Sequence, residues 1–374
     1  MIHHHEFWWR FFPKKELTQI YLSVALRGLA ISMLGLFIPL YLYREIGISL
    51  NDTLIFFIFY SVIFGIFTPL AAKFAARYGT KHTVLLSVPL YLAFIICLHL
   101  LSNYSVPLIL VSLTLGLSQA FYWMGINLAF HHASDHQHRG EEVGKEKAAS
   151  IIATIIGPLT GGFLITFFGF PIVFLLTSLL LITATFILFI SGENHVRYRF
   201  SVRSVINKHN WKDSIFFVSR GTEVIAKGVI WPLFIFLTLK SYISLGLVGS
   251  LLSVISAFLL LSVGKFSDHR DKRKIVKLVS GFETISWLLR AMAFSVGYIY
   301  GATVFGGITD GVRESPLGAL EYDKAKGDIV GYFVSREVFI CLGRILLLSL
   351  AIMTSSLAGS LVSQGFFSLA ALLF

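Results

Sequence analysis

Charged side chains fall inside stretches that are otherwise apolar, and these are the residues able to do chemistry. Arg27 lies in the run 17–43, Arg220, Glu223 and Lys227 in 214–239, and Asp310, Arg313 and Glu314 in 298–320. At about 1.5 Å per residue, Arg27 is about 15 Å deep in a hydrocarbon core about 30 Å thick. Arg220 and Glu223 come to about 9 and 14 Å, and the trio on the third run to roughly 9–16 Å from the same face. Charge at such depth is costly and normally faces a cavity or a partner. A buried carboxylate holds its proton more tightly, an adjacent arginine loosens it, and between the two the group can exchange a proton for another ligand. Glu223, Asp310 and Glu314 are the acids placed for that, with Arg220 a partner for Glu314 across spans. The plainer account is a static network, since Glu223 and Lys227 stand i,i+4 on one helix face and neutralise each other.

The elements that must position these groups are spanning helices. Of 374 residues, 56% are hydrophobic, 15% aromatic and only 14% charged, where a soluble domain carries about 25% charged residues. Apolar runs of about 20 residues follow one another with short gaps, so the chain reads as an all-α polytopic membrane protein. Twelve spans are expected, near 17–43, 52–73, 82–101, 106–130, 147–168 and 171–191, then 214–239, 243–264, 275–296, 298–320, 329–354 and 356–374. The net charge of +11 is spread over alternate loops, at 10–15, 73–81, 139–147, 197–212, 265–277 and 324–326. That is topology, with both termini cytoplasmic by the positive-inside rule, and not a nucleic-acid surface. The first run is too long for the apolar core of a signal peptide, so it is expected to stay as a span.

The chain is also a duplicated unit. Arg27-Gly28, Gly35 and Pro39-Leu40 recur 193 residues later as Arg220-Gly221, Gly228 and Pro232-Leu233 with identical internal spacing. Ala72 to Gly79 echoes Gly264 to Asp271, and Gly140 with Gly144 echoes Gly327 with Gly331. Two six-helix repeats follow: a cytoplasmic segment 1–16, a bundle 17–191, a basic linker 192–213 that carries Trp211, and a second bundle 214–374. Parallel repeats of this size are one architecture of secondary transporters.

Other motifs carry less. Cys97 and Cys341 lie in apolar runs and read as packing residues. The His131-His132-Ala133-Ser134-Asp135-His136-Gln137-His138 run has ligand types suited to zinc but no recurring helical ligand spacing, so no metal is expected. No phosphate-binding glycine loop occurs, and no cofactor is expected. Glu283 with Arg290 and Glu337 with Arg344 stand seven apart on spans 9 and 11. If those helices are close, the four charges pair in layers in a structural role.

Twelve spans in two repeats, cytoplasmic termini, a long basic middle loop and the segment Gly264, Phe266, Asp268, Arg270, Lys272 and Arg273 together resemble the major facilitator superfamily. Asp271 stands where that loop motif usually has glycine, and the first-half copy keeps Arg77, Gly79 and Lys81 but has Ala76 for the acid. The resemblance implies that spans 1, 4, 7 and 10 line a central cavity. Its lining would be Arg27, Gln119, Tyr122, Trp123, Asn127, Arg220, Glu223, Lys227, Asp310 and Glu314, with Glu223, Asp310 and Glu314 coupling to protons. It implies a latch in which Asp268 meets the start of span 5, with Asp328 at the start of span 11 as a substitute partner for Arg77 or Lys73. The Gly157-Pro158-Leu159-Thr160-Gly161-Gly162 segment, a flexible small-residue contact on span 5, is similar to the signature of exporters in that family.

The function expected is proton-coupled export of a small amphipathic compound by a monomer in the inner membrane. Proton-coupled uptake of an anionic metabolite is the alternative, because Arg27 and Arg220 would put two positive charges at the cavity. A membrane-embedded lipid-handling enzyme or a non-transporting scaffold is the reading from another class, which short loops disfavour.

Overall fold

The computed structural model describes residues 15–133, 139–190, 211–267, 271–324 and 329–373. The connector 192–210, Ser134 to His138 of the histidine-rich run, Asp268, Arg270 and Asp328 lie outside the described residues, and nothing is described of the side chains of His131, His132 or Gly264. The described residues form twelve helices. The first, α1, runs through Lys15–Gly35 and Ile38–Leu40 into a π turn at Tyr41–Glu45. It is followed by α2 (Leu50–Tyr78), α3 (Thr80–Leu100), α4 (Leu108–Ala133), α5 (Arg139–Phe168) and α6 (Phe170–Ile190). The second set opens with α7, made of Trp211–Ile225, a π turn at Ala226–Ile230 and Trp231–Leu239. After it come α8 (Tyr242–Ser267), α9 (Lys272–Ala291), α10 (Val296–Lys324), α11 (Ile329–Thr354) and α12 (Leu357–Ser368), which ends in a 3-10 turn.

Eight of these are long and apolar enough by themselves to cross a bilayer. Among the others, α9 carries Glu283 and Arg290, and α10 carries Asp310, Arg313 and Glu314, so buried charge lowers their hydropathy while their neighbours still bury them. Helix ends differ from the expected spans because apolar runs measure only the lipid-facing part. Thus α7 begins at Trp211, and the last three residues of the connector expected at 192–213 are helical.

Both halves use the same pairings. In the first, α1 packs on α5 and α6, and α4 on α2 and α3; in the second, α7 packs on α11 and α12, and α10 on α8 and α9. The halves meet where α5 lies on α8 and α2 on α11. Tight reversals set the neighbours: α5 and α6 are joined by Gly169 alone, whose φ of +77° strains any residue with a Cβ.

Small residues permit the closest approaches. A Cβ on Gly221 of α7 would run into the Ile340 carbonyl of α11, and one on Gly343 into the Val218 carbonyl. Within the first half, Gly161 sits against the Met33 backbone of α1, and between the halves Gly162 lies against Tyr242 of α8 and Gly246 against the Pro158 carbonyl. Pro158 itself interrupts the α5 ladder, and the other half mends it. Ser250 of α8 donates to Ile155 O at 2.5 Å and accepts from Leu159 N at 3.2 Å.

The first and seventh helices break at the same repeat position. Pro39 and Pro232 lack an N–H, which leaves the carbonyls of Gly35 and Gly228 without their i+4 donors. The chain unwinds just before Pro39 and forms the π turn of α7 just before Pro232. At the end away from the basic loops, Tyr242 closes the two halves together. Its ring lies 6.3 Å from Phe37, 5.7 Å from Phe170 and 4.9 Å from Phe236, and its hydroxyl is 2.5 Å from Glu45 Oε1.

Gly221→Leu forces side-chain atoms against a backbone carbonyl that cannot retreat, at a cost of at least ~1–3 kcal/mol. Thermal unfolding of the purified protein followed by tryptophan fluorescence should show a midpoint several degrees below wild type, whereas Gly281→Ala, whose Cβ meets nothing within 4 Å, should leave it unchanged.

Candidate functional site

The charges of α7, α9 and α10 converge into one cluster. On α7, Arg220, Glu223 and Lys227 share a face by their i,i+3 and i,i+4 spacing. The π turn that begins at Ala226 carries Lys227, whose Nζ lies 2.5 Å from Glu223 Oε1 and 2.8 Å from Asp310 Oδ1 on α10. Such one-turn bulges often mark functional positions in helices. Arg220 Nη1 lies 2.8 Å from Glu223 Oε2 and 3.0 Å from Glu314 Oε1. Arg313 of α10 fills the space between, bonding Glu223, Glu283 of α9 and, at 3.4 Å, Glu314. Glu223 therefore serves three cations at once.

The cluster is graded in depth. The side chains of Glu223, Arg313, Glu283 and Asp310 are at most 8% exposed, while Arg220, Lys227 and Glu314 keep 17%, 26% and 28%. An inner set is sealed, and a rim of two cations and one acid remains accessible. Arg290 of α9, buried like Arg313, is the fourth cation. Its guanidinium stacks 4.3 Å over Trp287 and 5.7 Å from Trp231, in room left by Gly306, and its charge reaches Asp310 and Glu223. Four acids then balance four cations, so adding one proton leaves the cluster one positive charge in excess.

Glu223, Glu283 and Asp310 present oxygens within 4.8 Å of one another, a spacing a divalent ion could use. Each already faces a cation, so an ion entering there would have to displace Lys227 or Arg313.

The layered pairing expected between spans 9 and 11 does not form. Glu283 pairs instead with Arg313, Glu337 is 3.4 Å from Arg336, and Arg344 donates to Tyr60 Oη of α2 at 3.0 Å. The reason is that α9 packs on α10 and α12, whereas α11 packs on α7 and α2. Glu283 thus moves from a structural pair into the cluster. The sequence reading also left Arg313 out of the candidate lining, although its three-residue step from Asp310 puts both on one face of α10.

The first-half candidates do not join this cluster. Arg27 faces a pocket inside its own half, among α1, α3, α4 and α6, with its guanidinium 3.7 Å from the centre of the Tyr122 ring and 5.8 Å from that of Tyr91. Gln119, Trp123 and Asn127 form a stripe on α4. Trp123 is half-exposed and donates through Nε1 to Gln119 Oε1 at 3.1 Å, while Asn127 is buried. Of the expected latch, Lys272 and Arg273 open α9, and Asp271 caps that helix by accepting from Arg273 N at 3.0 Å. That gives the residue in the usual glycine position a role of its own. Arg77 lies in the last turn of α2 with its charge 5.2 Å from the Tyr78 ring.

A sequence profile of the family described as Major Facilitator Superfamily matches residues 20–335. The Bacillus subtilis (strain 168) protein YqgE, described as uncharacterized, is 24% identical over 344 residues, 86% of this chain and 78% of its own. The multidrug resistance protein MdtG of Klebsiella pneumoniae (strain 342) is 29% identical over 190 residues, so the match spans 49% of this chain and 45% of that relative. Among solved structures, the human organic anion transporter MFSD10 (TETRAN) superimposes with a TM-score of 0.70 at 12% identity, covering 96% of this chain and 99% of that one. A bacterial homologue of the iron transporter ferroportin in an outward-facing state gives 0.68 at 14% identity, covering 96% and 97%. At those identities the structures establish the fold.

Removing one partner from a buried ion cluster costs about 3–5 kcal/mol, because the charges left behind keep their desolvation without their attraction. Glu223→Gln, which leaves three cations facing one another, should lower the thermal midpoint far more than Glu314→Gln at the accessible rim. Adding Arg313→Met to Glu223→Gln should recover part of the loss, read as non-additivity in a double-mutant cycle.

Proposed function

The chain belongs to the Major Facilitator Superfamily, and on that premise we propose that it is a proton-coupled secondary transporter that exports a small amphipathic compound by alternating access. The observation that carries the reading is the shared carboxylate of Glu223. A proton taken up by Glu223 or Asp310 weakens its hold on Lys227 and Arg220, the two cations at the accessible rim. Those side chains then reorganise toward the space between the halves. A substrate that competes with the proton for the same acids is released when the proton enters and bound when it leaves. Opposed fluxes follow from that competition.

Three features support a rocking motion of the halves. Both α1 and α7 are interrupted before a repeated proline, the α5 ladder is mended by a single serine of the other half, and the aromatic contacts of Tyr242 with Phe37 and Phe170 join the halves at the end away from the basic loops. The positive-inside rule would put the basic loops, and both termini, in the cytoplasm of a cell membrane. On that orientation the Tyr242 cluster is the outer closure. Export is favoured over uptake by the Gly157, Pro158, Gly161 and Gly162 contact and by the partial match to a multidrug resistance protein. A second reading, uptake of an anionic metabolite, is favoured by Arg27, which has no carboxylate in contact among the described residues. A monomer suffices for either, since each half supplies its own lining.

Everted membrane vesicles with an imposed pH gradient test the reading. A lipophilic cation or neutral amphiphile that is a substrate should discharge the gradient in wild type, and Glu223→Gln and Asp310→Asn should abolish at least nine-tenths of that signal. Should no such compound discharge it while an organic anion enters whole cells in an Arg27-dependent way, export is wrong and anion uptake replaces it.

A further inference from the structure

Helix α9 has two faces of different character. Val276, Ser280, Glu283, Trp287 and Arg290, at the i,i+3,i+4 spacing of one stripe, are buried where the helix packs on α10 and α12. The opposite stripe is Lys274, Lys277, Leu278, Gly281, Phe282 and Ile285, and all of these are exposed. Leu278, Phe282 and Ile285 are 69%, 48% and 47% exposed, and a Cβ on Gly281 among them would meet nothing within 4 Å. In a spanning helix such a face meets acyl chains, and lysines at its end carry their ammonium groups up to the headgroups.

The start of α9 breaks a local rule. Lys272, Arg273, Lys274 and Lys277 crowd its first two turns, where the helix dipole disfavours cations. Lys277 stands i,i+4 from Arg273 and i,i+3 from Lys274, so like charges face one another. Asp271 is beside them, but its carboxylate is engaged as the helix cap, accepting from Arg273 N at 3.0 Å. Among the described residues, no acid forms an ion pair with any of the four cations.

Positive-inside topology asks only for charge on this side of the membrane, which the loops already supply. It does not ask that the charge continue onto the lipid-facing stripe of a helix. The first half shows the difference. Carried on from Gly79 and Asp271, the repeat places Thr80, His82 and Leu85 where Lys272, Lys274 and Lys277 stand. The lysine kept there, Lys81, donates to Phe189 O at 2.9 Å. Each cation held near anionic lipid is worth about a fivefold gain in affinity, and four at the membrane end of a helix is a composition that recognises anionic headgroups.

We propose that the exposed face of α9 is a docking site for an anionic phospholipid, with its phosphate at Lys274 and Lys277 and an acyl chain along Leu278, Gly281 and Ile285. Charge complementarity at the headgroup level, continuous with the apolar stripe beside it, selects a lipid over a soluble anion. The site stands apart from the export reading, because binding is read without transport.

Native mass spectrometry of the purified full-length protein, released from detergent micelles holding equimolar phosphatidylglycerol and phosphatidylcholine, is the test. Wild type should take up phosphatidylglycerol first, with a preference of at least tenfold. Lys274→Gln combined with Lys277→Gln should lower that preference at least tenfold, Lys277→Arg should keep it, and Lys81→Gln should leave it unchanged. The double variant relieves repulsion at the start of α9, so its thermal midpoint in phosphatidylcholine alone should equal or exceed that of wild type. Phosphatidylglycerol should then raise the midpoint of wild type more than that of the double variant. If the double variant keeps the wild-type preference, or wild type takes up the two lipids equally, the proposal is overturned. Displacement of the bound lipid by millimolar glycerol 3-phosphate, a head without chains, would also overturn it, because the surface would then belong to a soluble phosphate.

Discussion

A charge cannot be left alone in hydrocarbon, and the second half of this chain is built on that constraint. Eight ionised side chains are brought together from α7, α9 and α10. None is tolerable by itself at such depth, and together they are compensated. The requirement reaches outward into the packing. Helix α7 must lie close to α10 for Lys227 to touch Asp310, and the glycines at 306, 307 and 311 let α10 settle against Arg290 and α8. Lys227, carried in the π turn before Pro232, lies between two acids, Glu223 and Asp310. A hydrophobic replacement of the whole cluster would be at least as stable by general physical reasoning. Its retention is therefore better understood through what charges do that methylenes cannot.

The duplicated sequence makes the asymmetry of the halves informative. The helix pairings are the same in both, and so are the arginine, glycine and proline positions of α1 and α7. What differs is the company each arginine keeps. Arg220 has carboxylates, whereas Arg27 has two tyrosine faces and an apolar pocket. The two copies share a backbone pattern, and with Ala30 and Leu34 where the other has the acid and the lysine, Arg27 is left against ring faces instead of carboxylates.

Much of this was legible in the sequence, and the parts that were not have physical causes. Twelve helices and the repeat followed from run lengths and from five glycine, proline and arginine matches at one offset, because a bilayer dictates length and glycine and proline report backbone geometry directly. The Arg220 to Glu314 pair followed from matched depths. Glu283 and Arg290 were misplaced because depth says nothing about azimuth: only the packing of α9 against α10, rather than α11, decides which face meets which. For Arg27, the sequence placed the charge near the midplane but could not tell the space between the halves from a space within one. Ser23 and Arg27 share a face by i,i+4 spacing, and it is the bond from Ser23 to Ala184 that turns that face toward α6.

The placement of the cluster constrains how coupling can work. Every ion pair in it lies within one half, so the cluster would travel as a body in the proposed rocking of that half. The proton uptake proposed for Glu223 or Asp310 would therefore break no ion pair between halves. On the proposed coupling its effect would run through the rim, where Lys227, Arg220 and Glu314 are accessible. Among the described residues, the contacts that cross between halves are of another kind: the apolar packing of α5 on α8 and α2 on α11, the Ser250 bridge into the α5 ladder, the Tyr242 cluster with Glu45, and the Arg344 bond to Tyr60. None of these is an ion pair between acid and base, so exchanging them would leave the charge cluster of the second half intact. Charge in one half and packing at the seam are thus separate devices, and the proposed transport cycle would need a ligand to connect them.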